Sequence, residues 1–369
     1  MEMLLSYGQM VASFLFVLTI LVFVHEWGHY FIARLNGVRV EVFSVGFGPE
    51  IWGFNDKHGT RWKFSWIPLG GYVKFFGDAS EASTPDDSIK QMTEDEKKVS
   101  FHHKNLWQKA AIVFAGPAVN FLFAILIIAG LYMTYGRMEL APVVGGVIEG
   151  GAAEQAGIQA GDRIISIDGE EIETFMDIRE HLMFKIEDQV AVVVLRDEEM
   201  VTLNFTLNLV DDEDILGNST KVRQIGVQSS MDPNDNVMVN YGPFSALWAA
   251  TIATKDLTAR NLQGLGQIIT GDRSSKELSG PVTIARVAGK TAEAGIASLI
   301  NFMAIVSIGL GMVNLFPIPM LDGGHLLYYA IEALRRKKMS EKAQEFGFKM
   351  GAFVVLSIMV FALYNDILR

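Results

Sequence analysis

Cysteine is absent from the 369 residues. That excludes a disulfide framework, a thiolate metal site and a thiol nucleophile. Any metal must therefore be held by histidine and carboxylate side chains. An excess of positive charge is also lacking, since the formal net charge is −11. This balance argues against nucleic acid as a partner. Hydrophobicity is what the chain does have, with half of its residues hydrophobic. A soluble chain of this length would be read as two domains, but here the apolar residues are gathered into four runs.

These runs are Leu4–Val24, Ala110–Tyr135, Ala294–Leu321 and Met350–Tyr364. A membrane span needs roughly 20 apolar residues, and the first three reach that length. The fourth does so when Phe346 and Phe348 extend it and Lys349 snorkels to the interface. The first run has neither a positively charged start nor a small-residue cleavage site, and it continues directly into His25 and Glu26, so it reads as a retained span. Arg335, Arg336, Lys337 and Lys338 lie between the third and fourth runs and assign that connection to the cytoplasm. The long segment after the second run then lies on the opposite side. It carries about twice as many acidic as basic residues.

Between the first two runs, Arg61-Trp62-Lys63-Phe64-Ser65-Trp66 alternates polar and aromatic residues with period two, as a half-buried strand does. Glycines at 46, 48, 53, 70, 71 and 77 supply turns around it. Trp52, Trp62 and Trp66 suit an interfacial position, where indole rings sit at headgroup level. This region reads either as a cytoplasmic β hairpin with ordinary aromatic packing or as a sheet dipping into the bilayer edge. Residues 79–104 are polar and predict a loose connection. In the outer segment, Gly161 to Gly169 predicts a strand and an Asp-Gly turn. A helix is expected over Thr174–Phe184, with paired strands at Val190–Arg196 and Val201–Leu209. Tyr241–Thr270 predicts one or two amphipathic helices lying on the membrane surface.

The chemistry is concentrated in His25-Glu26-Trp27-Gly28-His29. Histidines at i and i+4 share one helix face, so both imidazoles can reach a single tetrahedral zinc. Glu26, next to the first ligand, is set to take a proton from an activated water. Two surface histidines on a helix end would be the plain alternative, but ionisable groups abutting a span are costly and usually functional. The third ligand is expected to be Asp322, which follows the third run in Asn314-Leu-Phe-Pro-Ile-Pro-Met-Leu-Asp-Gly-Gly-His325. Two prolines and two glycines keep this stretch from being regular helix, and irregular backbone at membrane depth is tolerated where it is buried or lines a wet cavity. His325 competes for the role, and a helix cap is the alternative for Asp322. His58, His102, His103 and His181 lie in polar segments and are expected to be solvated.

Together, HEWGH and NLFPIPMLDGG on separate spans resemble the site-2 protease family of intramembrane metalloproteases. Gly116-Pro-Ala-Val-Asn120 and Ile67-Pro-Leu-Gly-Gly-Tyr-Val-Lys74 are similar to that family as well, and Gly150–Gly157 through Asp168-Gly169 is similar to a bacterial PDZ domain. The likeness is to the regulator-of-sigma-E protease branch and covers essentially the whole chain. It implies a polytopic α-helical membrane protein with four spans, a membrane-associated β hairpin and an inserted α+β PDZ domain. Residues 1–135 would hold the first two spans and the hairpin, 136–230 the PDZ domain, 231–293 an amphipathic helical segment and 294–369 the last two spans. The resemblance implies zinc bound by His25, His29 and Asp322, with Glu26 as general base. Asn314, Gly70, Gly71 and Tyr72 would contact substrate, an unwound segment that adds as a strand to the hairpin.

The implied partners are single-span membrane proteins and the bilayer. The implied location is the bacterial inner membrane, with the PDZ domain in the periplasm and the active site near the cytoplasmic side. Two features depart from the branch: one PDZ domain where relatives often carry two, and Gly309 where some have asparagine. A catalytically idle scaffold and an ion transporter are the rival classes. The scaffold conflicts with an intact HExxH and a separate aspartate, since structural zinc sites are usually closed by four ligands. The transporter conflicts with the lack of repeated halves.

Overall fold

The computed structural model describes residues 2–78, 86, 89, 91–183, 188–213, 219–271, 274–337 and 339–368. It divides into two compact units, Met1–Leu131 with Phe244–Arg369, and Tyr132–Pro243.

The first unit begins with α1 (Glu2–Leu35). At 1.5 Å per residue this helix is about 50 Å long, so the apolar run and the HEWGH motif form one continuous rod. Two long strands follow, β1 (Val40–Asn55) and β2 (Arg61–Phe75). Each is bent, and they pair twice. Val42–Val45 lies between Arg61–Phe64 on one side and Gly71–Lys74 on the other, while Trp52–Asn55 adds outside Arg61–Phe64. The result is a four-stranded mixed layer, with Val42–Val45 parallel to Arg61–Phe64 and the other pairings antiparallel, and one of its two edges is the second half of β2. Gly70 makes the bend before that edge at φ 111°, a conformation open to glycine and costly for other residues.

Val40, Phe43, Val45, Val73 and Phe75 pack this layer on Ala33 of α1, on Phe101 and on Ile112 and Val113. Asp56, in the turn between the strands, accepts hydrogen bonds from Tyr30 Oη (3.0 Å) and Trp62 Nε1 (3.1 Å), which tie the turn to α1. Residues 79–85, 87, 88 and 90, part of the expected loose connection, lie outside the described residues. The rest of it is more ordered than expected. It forms α2 (Glu94–Val99), nucleated by a reciprocal capping box between Thr93 and Glu96. Helix α3 (Leu106–Tyr135) then carries Pro117 in its interior.

The second unit is α+β. Its strands and helices run β3 (Arg137–Leu140), β4 (Val144–Val147), α4 (Ala152–Ala156), β5 (Arg163–Ile167), β6 (Glu170–Glu171), α5 (Phe175–Met183), β7 (Gln189–Arg196) and β8 (Glu199–Thr206). They continue through β9 (Asn208–Glu213), β10 (Ser219–Gln224), β11 (Val227–Ser229) and β12 (Asn236–Val239). Strands β6, β5, β7 and β8 form an antiparallel sheet in that order, and β4 pairs with β11, β9 with β10 and β3 with β12. The Asp-Gly turn between β5 and β6 has positive φ at both residues, 52° and 87°, as a two-residue type I′ hairpin turn requires. Alternate residues Val190, Val192 and Val194 of β7 enter a core with Ile164, Ile167, Ile178, Leu182 and Ile225. Asp162, 1% exposed, anchors the start of β5 through a forked contact with Arg196 at 2.7 and 2.6 Å.

Back in the first unit, α6 (Pro243–Thr270) is one unbroken helix, followed by α7 (Pro281–Glu293), α8 (Ile296–Asn314), α9 (Asp322–Arg335) and α10 (Glu341–Leu368). Leu299 and Met303 of α8 meet Val17 and Leu21 of α1 in a buried cluster. The carboxylate of Asp366 on α10 caps α7, accepting from the backbone N–H of Gly280, Val282 and Thr283 and from the Thr283 hydroxyl. Four helices among the described residues are long and apolar enough to cross a bilayer: Tyr7–Leu35, Leu106–Tyr135, Ile296–Asn314 and Lys342–Ile367.

Candidate metal centre

Helix α1 brings His25 and His29 to one face, as the i, i+4 spacing dictates. Asp322 arrives from elsewhere. Helix α8 stops at Asn314, and residues 315–321 fold irregularly before α9 opens at Asp322. Met320 takes φ 103°, a strained value for a residue with a side chain. Backbone carbonyls of Leu315 and Phe316 lie where a Cβ on Gly323 would sit, and that of Ile318 does the same at Gly324. The LDGG sequence is thus physically explained. Only glycine lets the incoming loop lie on the first turn of α9 and set the aspartate at its start.

The three donors converge. His25 Nε2 lies 3.2 Å and His29 Nε2 3.5 Å from Asp322 Oδ2, and the two Nε2 atoms are 3.3 Å apart. Two ligands about 2.05 Å from one zinc at the tetrahedral angle are about 3.3 Å apart. The spacing therefore fits a zinc ion of ordinary bond lengths. The side chains are 11%, 11% and 17% exposed, and the donor set of two nitrogens and one carboxylate oxygen leaves a fourth position for water or substrate. Among the described residues, this is the group of histidine and acidic side chains whose ligand atoms come within metal-binding range of one another.

Helix α3 forms the other wall. The place of a Cβ on Gly116 is occupied by the His29 ring, with His25 Cε1 only 2.9 Å away. Gly28 meets Ala115 in the same crossing. The carbonyl of Ile112 accepts from His29 Nδ1 (2.9 Å), which leaves Nε2 with its lone pair toward the centre. Asn120, fully buried, lies 3.0 Å from His25 Nδ1 through its side-chain amide. Glu26 is buried as well, at 9% exposure. The free edge of β2 runs past it: a Cβ on Gly71 would sit 3.0 Å from Glu26 Cγ.

Of the other residues singled out from sequence, Gly70 and Tyr72 flank Gly71, with Tyr72 stacked on Phe47 and under the Lys63 ammonium. Asn314 is half-buried at the end of α8 and makes no side-chain hydrogen bond among the described residues. His325 stays outside the cluster of donors. The expected solvation of His58 and His103 matches their exposure, but His102 and His181 are paired. His102 Nε2 lies 2.7 Å from Asp78, whose side chain has no exposure, and His181 bridges Glu170 and Asp168 at 3.0 and 3.4 Å. A buried carboxylate requires a partner, and local polarity did not reveal where it would find one. Ile112, Gly116 and the contact made by Asn120 were likewise missed as parts of the site. The Gly-Pro-x-x-Asn run was the signal for Gly116 and Asn120, and Ile112 lies four residues before it.

The model for peptidase family M50 matches residues 13–358. A protein of Mesorhizobium japonicum named as a zinc metalloprotease is 44% identical over 359 residues, covering 97% of this chain and 98% of that relative. The metalloprotease MmpA of Caulobacter vibrioides is 34% identical over 383 residues, covering 98% of this chain and 96% of its own length. Among solved structures, the PDZ domain of an SdrC-like protein from Listeria monocytogenes covers 25% of this chain and 90% of its own, at 18% identity and a TM-score of 0.20.

Proposed function

The chain belongs to peptidase family M50 and is a multi-pass membrane zinc metalloprotease, and from this premise we propose that it cuts peptide bonds within the membrane-spanning helices of other proteins. The observation that carries the reading is the meeting, at zinc-like spacing, of two imidazoles on an apolar helix with the carboxylate that opens α9. His25 lies 21 residues beyond Leu4, where the apolar run begins, about 32 Å along the helix. A hydrocarbon core is about 30 Å thick, so the centre works near the edge of the bilayer on one side.

His25, His29 and Asp322 hold the zinc. When bound, zinc supplies Lewis-acid chemistry, making water acidic near neutral pH and a carbonyl carbon electrophilic. Glu26 accepts the proton of the attacking water and later delivers it to the leaving amine nitrogen. A peptide bond inside a helix is shielded by its own hydrogen bonds. The free edge of Gly71–Phe75 offers replacement bonds, so an unwound substrate segment adds there as a strand and its carbonyl is exposed beside Glu26. Asn314, with no partner of its own among the described residues, steadies the substrate backbone, and Gly70 and Tyr72 shape the approach.

The basic residues from Arg335 to Lys338 set the connection before α10 in the cytoplasm. The second unit, read as a single PDZ domain, then stands in the periplasm of a bacterial inner membrane. There it screens single-span substrates by the bulk of their outer domains. Anti-sigma factors and remnant signal peptides are the substrate classes that suit such a site.

The test is cleavage of a tagged single-span substrate in vesicles by the wild-type protein and by Glu26→Gln. A fragment formed only by the wild type and abolished by a zinc chelator supports the reading. If both proteins bind zinc and neither cuts a panel of trimmed substrates, the scaffold alternative takes its place.

A further inference from the structure

The two histidines of the centre are held on their outer nitrogens by groups of different kinds. His29 Nδ1 faces a backbone carbonyl, which can only accept, so the His29 proton is fixed on Nδ1. His25 Nδ1 faces the side-chain amide of Asn120, which can donate or accept according to which end is turned toward it. The two orientations have the same shape and opposite consequences. With Nδ2 toward the ring, Nδ1 of His25 must accept, and the ring proton moves to Nε2, where it covers the lone pair aimed at His29 and Asp322. With Oδ1 toward the ring, the proton stays on Nδ1 and Nε2 is a ligand.

Three further observations bear on Asn120. Its side chain is 0% exposed, on a span, where an uncompensated amide is costly. As placed in the structure, Nδ2 is the atom 3.0 Å from His25 Nδ1 and Oδ1 has no hydrogen-bond partner, and exchanging the two ends of the amide keeps the same shape. Its backbone carbonyl accepts from the fully buried Ser307 hydroxyl of α8 at 2.8 Å, which ties α8 to α3 at the level of Asn120. A polar line thus runs from α8 through α3 to the histidine of α1.

The geometry points to Asn120 as the positioning residue that sets the tautomer of His25 by presenting its side-chain carbonyl to Nδ1–H, so that metal affinity depends on a residue that touches no metal. Outer partners of ligating histidines fix ring orientation and tautomer in this way, and their loss lowers metal affinity by about 10- to 100-fold. The inference rests on the assignment of His25 as a zinc ligand. A purely structural role, as an interhelical polar contact, would lower stability and leave the affinity of the folded protein unchanged.

The experiment is a zinc titration of the full-length, metal-stripped protein in detergent against a competing chelator, with thermal unfolding of each variant recorded in parallel. Asn120→Leu, similar in size and without an acceptor, is expected to bind zinc about 10- to 100-fold more weakly. Asn120→Asp is expected to match or exceed the wild type, because its carboxylate can only accept and so holds the His25 proton on Nδ1. Wild-type affinity in folded Asn120→Leu overturns the inference. Should Asn120→Leu not fold, Asn120→Asp decides alone, and weakened binding by that folded variant overturns it. His25→Ala separates the two readings. If it binds zinc as the wild type does, the ligand assignment itself fails. If it loses zinc while Asn120→Leu keeps it, only the role of Asn120 fails.

Discussion

Replacing Gly116 by alanine sets two physical effects of opposite sign against each other. Judged as a residue inside helix α3, the change is favourable, since alanine exceeds glycine by about 1 kcal/mol in helix propensity. Judged by its surroundings, it is not. The new methyl would occupy the position of the His29 ring and lie 2.9 Å from His25 Cε1. Nothing on the α3 side can yield easily, because Gly28 and Ala115 are already in contact across the same crossing. Overpacking of this kind costs about 1–3 kcal/mol when the surroundings must absorb it. Here the mobile element is the imidazole, so the strain is relieved by displacing His29 from the Ile112 carbonyl and from the donor set. A displacement of about 1 Å at a catalytic centre lowers rates about 100-fold. The variant is therefore expected to keep its thermal stability within about 2 kcal/mol while losing bound zinc and nearly all cleavage. Zinc content by elemental analysis, thermal unfolding and vesicle cleavage measure these three quantities. A stable Gly116→Ala protein with stoichiometric zinc and wild-type cleavage would refute the packing argument.

Gly71→Ala should separate metal binding from substrate handling, because the atoms nearest its Cβ belong to the Ser44 carbonyl, Val22 and Glu26 rather than to the three ligands. Retained zinc with cleavage reduced about 10-fold or more, in line with a misaligned reacting geometry, is the expected pair of results. In the second unit, burial raises the Asp162 carboxyl, but Arg196 and the N–H of Gln159 outweigh it and hold the group below its ordinary value of 3.8. A depressed folded value means that this stabilisation is present above pH 3.8 and is lost as pH falls through the folded value. Hydrogen-exchange protection at Ile164 in the full chain should accordingly decline in that acid window, and Asp162→Asn should remove the decline along with about 1–3 kcal/mol of local stability at neutral pH. Asp366→Ala removes the acceptor of four hydrogen bonds at the start of α7. A loss of about 2 kcal/mol and faster proteolysis near Leu278 are expected, with zinc content unchanged.

Much of this molecule is written in short-range pattern. Four apolar runs, the i, i+4 histidines, the period-two strand at Arg61–Trp66 and the Asp-Gly turn are each decided within about twenty residues by helix or strand periodicity and by turn stereochemistry. The irregular stretch after Asn314 was legible for the same reason, since two prolines and two glycines act locally. The double pairing of β1 and β2 was not legible. Both halves of β2 alternate acceptably, and only bends at residues such as Gly70 let the two halves flank Val42–Val45 on opposite sides. The partners of His102 and His181 were not legible either, because polarity along the chain says nothing about which carboxylate a fold will bury.

By itself, then, the sequence determined the spans, the chemical identity of the centre and the two histidines that share a face. Tertiary structure alone decided how the centre is completed. Asp322 is brought to His25 and His29 across nearly three hundred residues of chain, and α3 supplies Gly116, the Ile112 carbonyl and Asn120 about ninety residues away. The edge of β2 reaches Glu26 only because Gly71 has no side chain. The physical reason is common to all of these. Periodicity fixes which face of an element is apolar, whereas the partner of that face depends on where two backbones can approach, and that is set by small residues distant in sequence and neighbouring only in the folded chain.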